Sequence, residues 1–206
     1  MGRTDIIISK LVRRLKGLKV DPMPRTDELL SLLSDAQLEV AQRGLAIKAE
    51  ITFYTEAAED VYDLGTKIFR IRKLIEPTTW TTPVEIINNE ERWSEIVRSQ
   101  SLGEVTPQPL YATVWNGRLK FWPTPTVTGE EIEVFLYLLP SRLIDEGTDP
   151  EVDLTWDNCL EYGVLDDLMG GDWTVKYENE LSRLGQQNIR EALAPTRIKH
   201  WSEIGF

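Results

Sequence analysis

The chain of 206 residues carries 34 acidic against 23 basic side chains, a formal charge of −11, which argues against a general grip on nucleic-acid phosphates. A single cysteine, Cys159, excludes an intrachain disulfide and is expected as a buried thiol. No run of 18 or more apolar residues occurs and no leader-like stretch opens the chain, so the expectation is a soluble protein with no membrane partner. It is long enough to bury one domain core, with appended arms.

The charge is uneven. Residues 1–20 hold Arg3, Lys10, Arg13, Arg14, Lys16 and Lys19 against Asp5 alone, a net of +5 that leaves −16 for the remainder. Ile7, Leu11, Leu15 and Leu18 recur at helical spacing within this basic segment. It reads as an amphipathic helical arm over 1–22, separated from the body by a two-proline hinge, VDPMPR. A helix over 26–43 follows, with Thr26 as cap, Leu29, Leu33, Ala36 and Val40 as its buried stripe and Gly44 as a left-handed stop.

From residue 50 the period changes to two. ITFYT, VYDL and KIFRIRKLI are rich in β-branched and aromatic residues, and a β-region is predicted over 50–87 and again over 110–139, interrupted by a helix over 89–99. Asn116-Gly117 lies between two alternating runs, the signature of a type I′ hairpin. Short connections favour an antiparallel meander. Helical spacing returns over 154–169, closed by Gly170-Gly171, and over 174–193, where Tyr177, Leu181, Leu184, Ile189 and Leu193 form the stripe. These two helices should make an antiparallel αα-hairpin. The whole is α+β: a helical core of opening helix and closing helix pair, an inserted β-meander, one main domain over 23–194, and arms at either end. Residues 195–206, with Ile198, Trp201, Ile204 and Phe206, either fold back on their own core or insert into a neighbour.

Chemistry is hard to place on this chain. The one histidine, His200, sits in the terminal segment, away from any nucleophile-and-base arrangement. The carboxylate pairs Asp166-Asp167, Glu130-Glu131 and Glu90-Glu91 are adjacent in sequence, so helical neighbours diverge by about 100°. The acidic loop Asp145, Glu146, Asp149, Glu151, Asp153 lacks the ligand order of a calcium hand, and no phosphate-binding glycine loop occurs. No catalytic residue, cofactor or metal is therefore assigned, and the chain is not read as an enzyme.

The order of parts resembles the head-to-tail adaptor, or neck, proteins of tailed bacteriophages. The resemblance rests on the helix from Thr26, Tyr62-Asp63-Leu64, Leu110-Tyr111, Gly117 and Leu119, Pro123-Thr124-Pro125, and a strand ending near Tyr137 and Pro140 before a closing helix pair. It covers roughly residues 24–194, and the basic arm has no counterpart in it. It implies a structural subunit of a homo-oligomeric ring, usually of twelve, beneath the portal, that extends the channel for double-stranded DNA and docks a tail or nozzle protein. The location implied is the virion neck, with assembly in the host cytoplasm.

On that resemblance, Arg197, Ile198, Lys199, His200, Trp201, Ile204 and Phe206 are assigned to portal docking, and Glu178 and Glu180 to the channel wall. For the arm, Ile7, Leu11, Arg13, Arg14, Leu15 and Leu18 are expected to contact another protein, because an apolar stripe needs an apolar partner. Two alternatives stay open: a tail-completion protein bound to the tail tube, and a carbohydrate-binding module using Trp115 and Trp122 on the hairpin face.

Overall fold

The computed structural model describes residues 2–99 and 108–193. In chain order these form α1 (Arg3–Gly17), α2 (Thr26–Gly44), β1 (Lys48–Tyr54), β2 (Val61–Asp63), β3 (Ile68–Ile75), β4 (Glu85–Ile86), α3 (Glu90–Ser99), β5 (Tyr111–Trp115), β6 (Arg118–Trp122), β7 (Glu131–Leu138), α4 (Asp157–Met169) and α5 (Asp172–Leu193). The α+β class holds: a helical layer of α1, α2, α4 and α5 carries an inserted, mainly antiparallel β-region.

The helical layer is built on the expected stripes. Leu29, Leu33, Ala36 and Val40 of α2 and Leu160 and Val164 of α4 are buried together with Trp156 and Cys159. On α5 the stripe departs from expectation after Leu184. Tyr177, Leu181, Leu184 and Asn188 continue at four-three-four spacing and are buried, while Ile189 lies about 100° further round and is 47% exposed. Geometry sets the buried face, and the apolar character of Ile189 does not override it.

The expected arm is corrected. Ile7, Leu11 and Leu15 are at most 1% exposed and belong to the same core as α2 and α4. The two-proline connection does not act as a free hinge, because Val20 and Met23 pack on that core and Val20 N donates to Leu15 O. The apolar stripe found its partner within the chain, where the effective concentration of an apolar face is highest.

Helix ends differ in one instructive place. Thr26 lies inside α2, and Arg25 precedes it, its N–H satisfied by the Glu28 carboxylate at 2.9 Å. Gly44 is the last helical residue, and Leu45 takes the left-handed conformation at φ 53°. Gly44 serves space instead of turning: a Cβ there would lie 2.4 Å from the Trp156 ring. Gly170 and Gly171, at φ 61° and 63°, do close α4 as their sequence position predicts.

The β-region is two sheets. One has the order β1-β7-β3, the other β2-β6-β5-β4. Their facing sides enclose Ile71, Leu74, Ala112, Leu119, Phe121, Ile132, Val134 and Leu136. The β5–β6 hairpin turns at Asn116 (φ 49°) and Gly117 (φ 73°), both left-handed as a type I′ turn demands. One pair, β4 with β5, is parallel, because the connection through α3 is long enough for a crossover.

Candidate functional site

The hairpin settles its aromatics by alternation. Leu119 and Phe121 point into the core at 0% and 1% exposure, while Trp115 and Trp122 lie on the opposite face and are half-buried. Lys120 sits over the Trp115 ring at 5.6 Å. One face of the Trp115 ring is thus occupied by a cation.

The basic N-terminal helix is held by an acidic receiver. Arg3 enters the loop before α4: its guanidinium donates to Asp157 Oδ1 at 2.5 and 2.8 Å, to Val152 O at 2.5 Å and to Asp153 O at 2.8 Å. The Arg3 backbone N–H donates to Asp149 Oδ1 at 2.6 Å, and Thr4 Oγ1 donates to Thr148 O at 2.7 Å. A second anchor is Arg14, whose Nε lies 2.8 Å from Oε1 of the buried Glu161 and whose guanidinium lies 5.6 Å from the Tyr162 ring and 5.9 Å from that of Trp173. Burial pushes the Glu161 carboxyl up, and the charges of Arg14 and Lys10 oppose that shift.

The remaining candidates separate by exposure. Arg13 and Leu18 are exposed on α1, with Lys10 and Lys16. The acidic loop spends its carboxylates on separate partners: Asp145 accepts from Thr148, Asp153 from Thr155 N, and Glu151 from Lys67 and Ser141 N. Among the described residues no group of three or more histidine, cysteine, aspartate or glutamate side chains is arranged to hold a metal.

The two channel candidates on α5 are both ion-paired. Glu178 meets Arg43 at 2.6 Å, and Arg43 also meets Glu39 at 2.5 Å. Glu180 accepts two bonds from Arg183, at 2.7 and 2.9 Å. These hydrogen bonds hold both carboxyls below the ordinary carboxylate range. A second acidic surface lies between α2 and α4. The Asp167 carboxyl is pushed up by burial and by the charges of Asp166, Glu39 and Asp35. Asp167 follows Glu161 by six positions, about 240° around α4, so this surface faces away from the α1 anchor.

Residues 197–206, with all seven docking candidates, lie outside the described residues. Sequence reasoning missed Asn188, whose Nδ2 donates to Gly44 O at 2.9 Å and Leu45 O at 3.2 Å and closes α2 onto α5. It also missed Gln37, which accepts from Glu151 N at 2.7 Å and donates to Ser141 O at 3.1 Å. The available signal was a polar residue on the apolar period of each helix.

These features describe a chain whose charged and aromatic groups are spent on holding parts together, and the sequence matches a family model, that of the SU10 adaptor protein, over residues 5–199. The chain belongs to the SU10 adaptor protein family. That match spans the helical layer, the β-region and α1, which the resemblance read from the sequence could not place. Membership makes this a bacteriophage adaptor protein, a structural component of the virion. No curated protein matches the sequence significantly. No helix among the described residues is long and apolar enough to cross a membrane.

Proposed function

We propose that this SU10-family adaptor assembles as a ring at the neck, against the portal on one side and a tail or nozzle protein on the other, and prolongs the channel through which double-stranded DNA passes. The observation that carries the reading is the family match over residues 5–199. Ring closure requires two different patches that meet between successive copies. The exposed basic side of α1, with Lys10, Arg13 and Lys16, and the acidic surface of Asp35 and Asp167 are such a pair. Charge complementarity of this kind fixes register and speeds encounter more than it adds affinity.

A bore should let phosphates slide without gripping them, and the net −16 of residues 21–206 suits a repelling wall. Glu178 and Glu180 contribute little net field to it, since each is balanced by an arginine. The wall's repulsion then comes from other carboxylates. Residues 195–206 supply aromatic and arginine anchors for the portal, the residue types that dominate interface energy.

The test is reconstitution. Purified protein added to DNA-filled, tailless capsids of its own phage restores tail attachment, and the double variant Arg13→Glu with Lys16→Glu, folded by circular dichroism, loses at least about tenfold in yield at low salt. Equal yields from variant and wild type would remove the charge-paired ring contact from the account.

A further inference from the structure

Residues 49–66 carry Glu50, Glu56, Glu59, Asp60 and Asp63 and no lysine or arginine. Three of these carboxylates lie in the turn that joins β1 to β2, and Asp63 closes β2. Between the two strands is a cleft of about 490 Å³ whose lining falls within 51–64. Ile51, Phe53, Val61 and Leu64 give it an apolar wall, and the exposed Glu56 and Glu59 give it an acidic rim.

The cleft is held in shape from below and from above. The rings of Phe53 and Tyr62 are 4.8 Å apart, and both rest on the buried Phe121, at 6.2 and 5.8 Å. The Tyr62 hydroxyl accepts from Glu56 N at 3.0 Å and donates to Glu59 O at 3.2 Å, which ties the wall to the rim. The rim turn is pinned in its own right: Thr55 Oγ1 donates to Val127 O at 2.8 Å, Ala57 N to Thr128 Oγ1 at 2.9 Å and Ala58 N to Pro125 O at 3.0 Å. A guest therefore meets a preformed surface and does not have to order it.

Its electrostatics select the guest. Burial pushes the Tyr62 hydroxyl up, the bond from Glu56 N opposes this, and the charges of Glu59, Glu56 and Asp60 add to it, so three carboxylates act on the polar tip of the ring. Asp63 stands opposite Arg118 in the β2–β6 register and accepts from Gly65 N at 3.0 Å, which places the rim's charge mainly on the other three. Phosphates are repelled by such a rim, and a neutral apolar guest leaves it unused. A protein segment in extended conformation meets both demands. Its side chains at positions two apart share a face, roughly 6.6 Å from one another, so an apolar group can enter the cleft while a cation two positions away reaches the rim. Tyr54, 58% exposed beside the cleft, offers a ring on which an arginine can stack.

We propose that this cleft binds an extended segment of a partner protein, with an apolar side chain seated among Ile51, Phe53 and Leu64 and arginine or lysine two positions to either side meeting Glu56 and Glu59. The binding adds a surface to the assembly reading and stands apart from it, because it belongs to the isolated chain and lies away from Asp35 and Asp167.

Titration of the full chain with the end-capped peptide Arg-Ser-Leu-Ser-Arg, followed by nuclear magnetic resonance, tests this. The ring signals of Phe53 and Tyr62 should move, with an affinity at least about tenfold above that for Arg-Ser-Ser-Ser-Arg or Glu-Ser-Leu-Ser-Glu. The double variant Glu56→Gln with Glu59→Gln, shown to be folded by an otherwise unchanged spectrum, should bind the first peptide about tenfold more weakly and with little dependence on salt. Equal affinity for the three peptides, movement confined to the surface around Asp35 and Asp167, or still signals at Phe53 and Tyr62, as when the chain's own residues fill the cleft, would overturn the proposal. So would Phe53 and Tyr62 signals that shift with protein concentration alone, since a second copy is then the occupant.

Discussion

Individual side chains carry this fold through a few buried polar contacts. Asn188 satisfies the last carbonyls of α2 from within α5. Removing a buried donor leaves those acceptors unpaired, so Asn188→Ala should cost about 1–3 kcal/mol in urea unfolding, with an unchanged slope. A cost below about 0.5 kcal/mol would show that water replaces it. Glu161 makes a prediction in pH. Its carboxyl is raised by burial, so its contribution is fully present below the ordinary carboxylate range and is lost as pH rises through the shifted value. Wild type should therefore lose stability relative to Glu161→Gln as pH is raised from about 4 toward neutrality. Parallel profiles for the two proteins would contradict the shift. Burial also pushes the Cys159 thiol up to about 12, so it should resist alkylation at neutral pH until the chain unfolds.

At the scale of elements, the sequence was most legible where periodicity and turn chemistry act alone. The α2 stripe, the Gly170-Gly171 stop and the Asn116-Gly117 turn follow from local rules, and the structure reproduces them. Partner choice was not legible. The stripe Ile7, Leu11, Leu15 announces that something covers it, yet only the fold shows that α2 and α4 do so, since the receiver for Arg3 is assembled about 150 residues away, at Asp149 to Asp157. Gly44 likewise reads as a stop signal until the Trp156 ring is seen against it. Strand order was hidden for the same reason: β7 lies between β1 and β3, a pairing set by the two-sheet core and by no local signal. Gly117 combines both levels. Its left-handed φ suits the turn, and a Cβ there would lie 2.2 Å from Gly65 O. Gly117→Ala should thus destabilise by about 2 kcal/mol or more, through strain and a backbone clash together. A melting temperature within a degree of wild type would mean that the 65–66 turn simply moves aside.

The molecule as a whole is an acidic body that has absorbed its basic head. Arg3 and Arg14 are spent on internal anchors, which leaves Lys10, Arg13 and Lys16 as an outward basic surface on an otherwise negative chain. That distribution, the SU10 adaptor family match over residues 5–199, and two layers that each have their own core fit a subunit whose work is positioning other molecules. The proposed function puts this protein at the phage neck, in many copies around one axis. Electron cryomicroscopy of DNA-filled, tailless capsids mixed with the purified protein measures this most directly. The account predicts a closed ring of this fold at the portal vertex, coaxial with the DNA. A vertex left bare at saturating protein would contradict it.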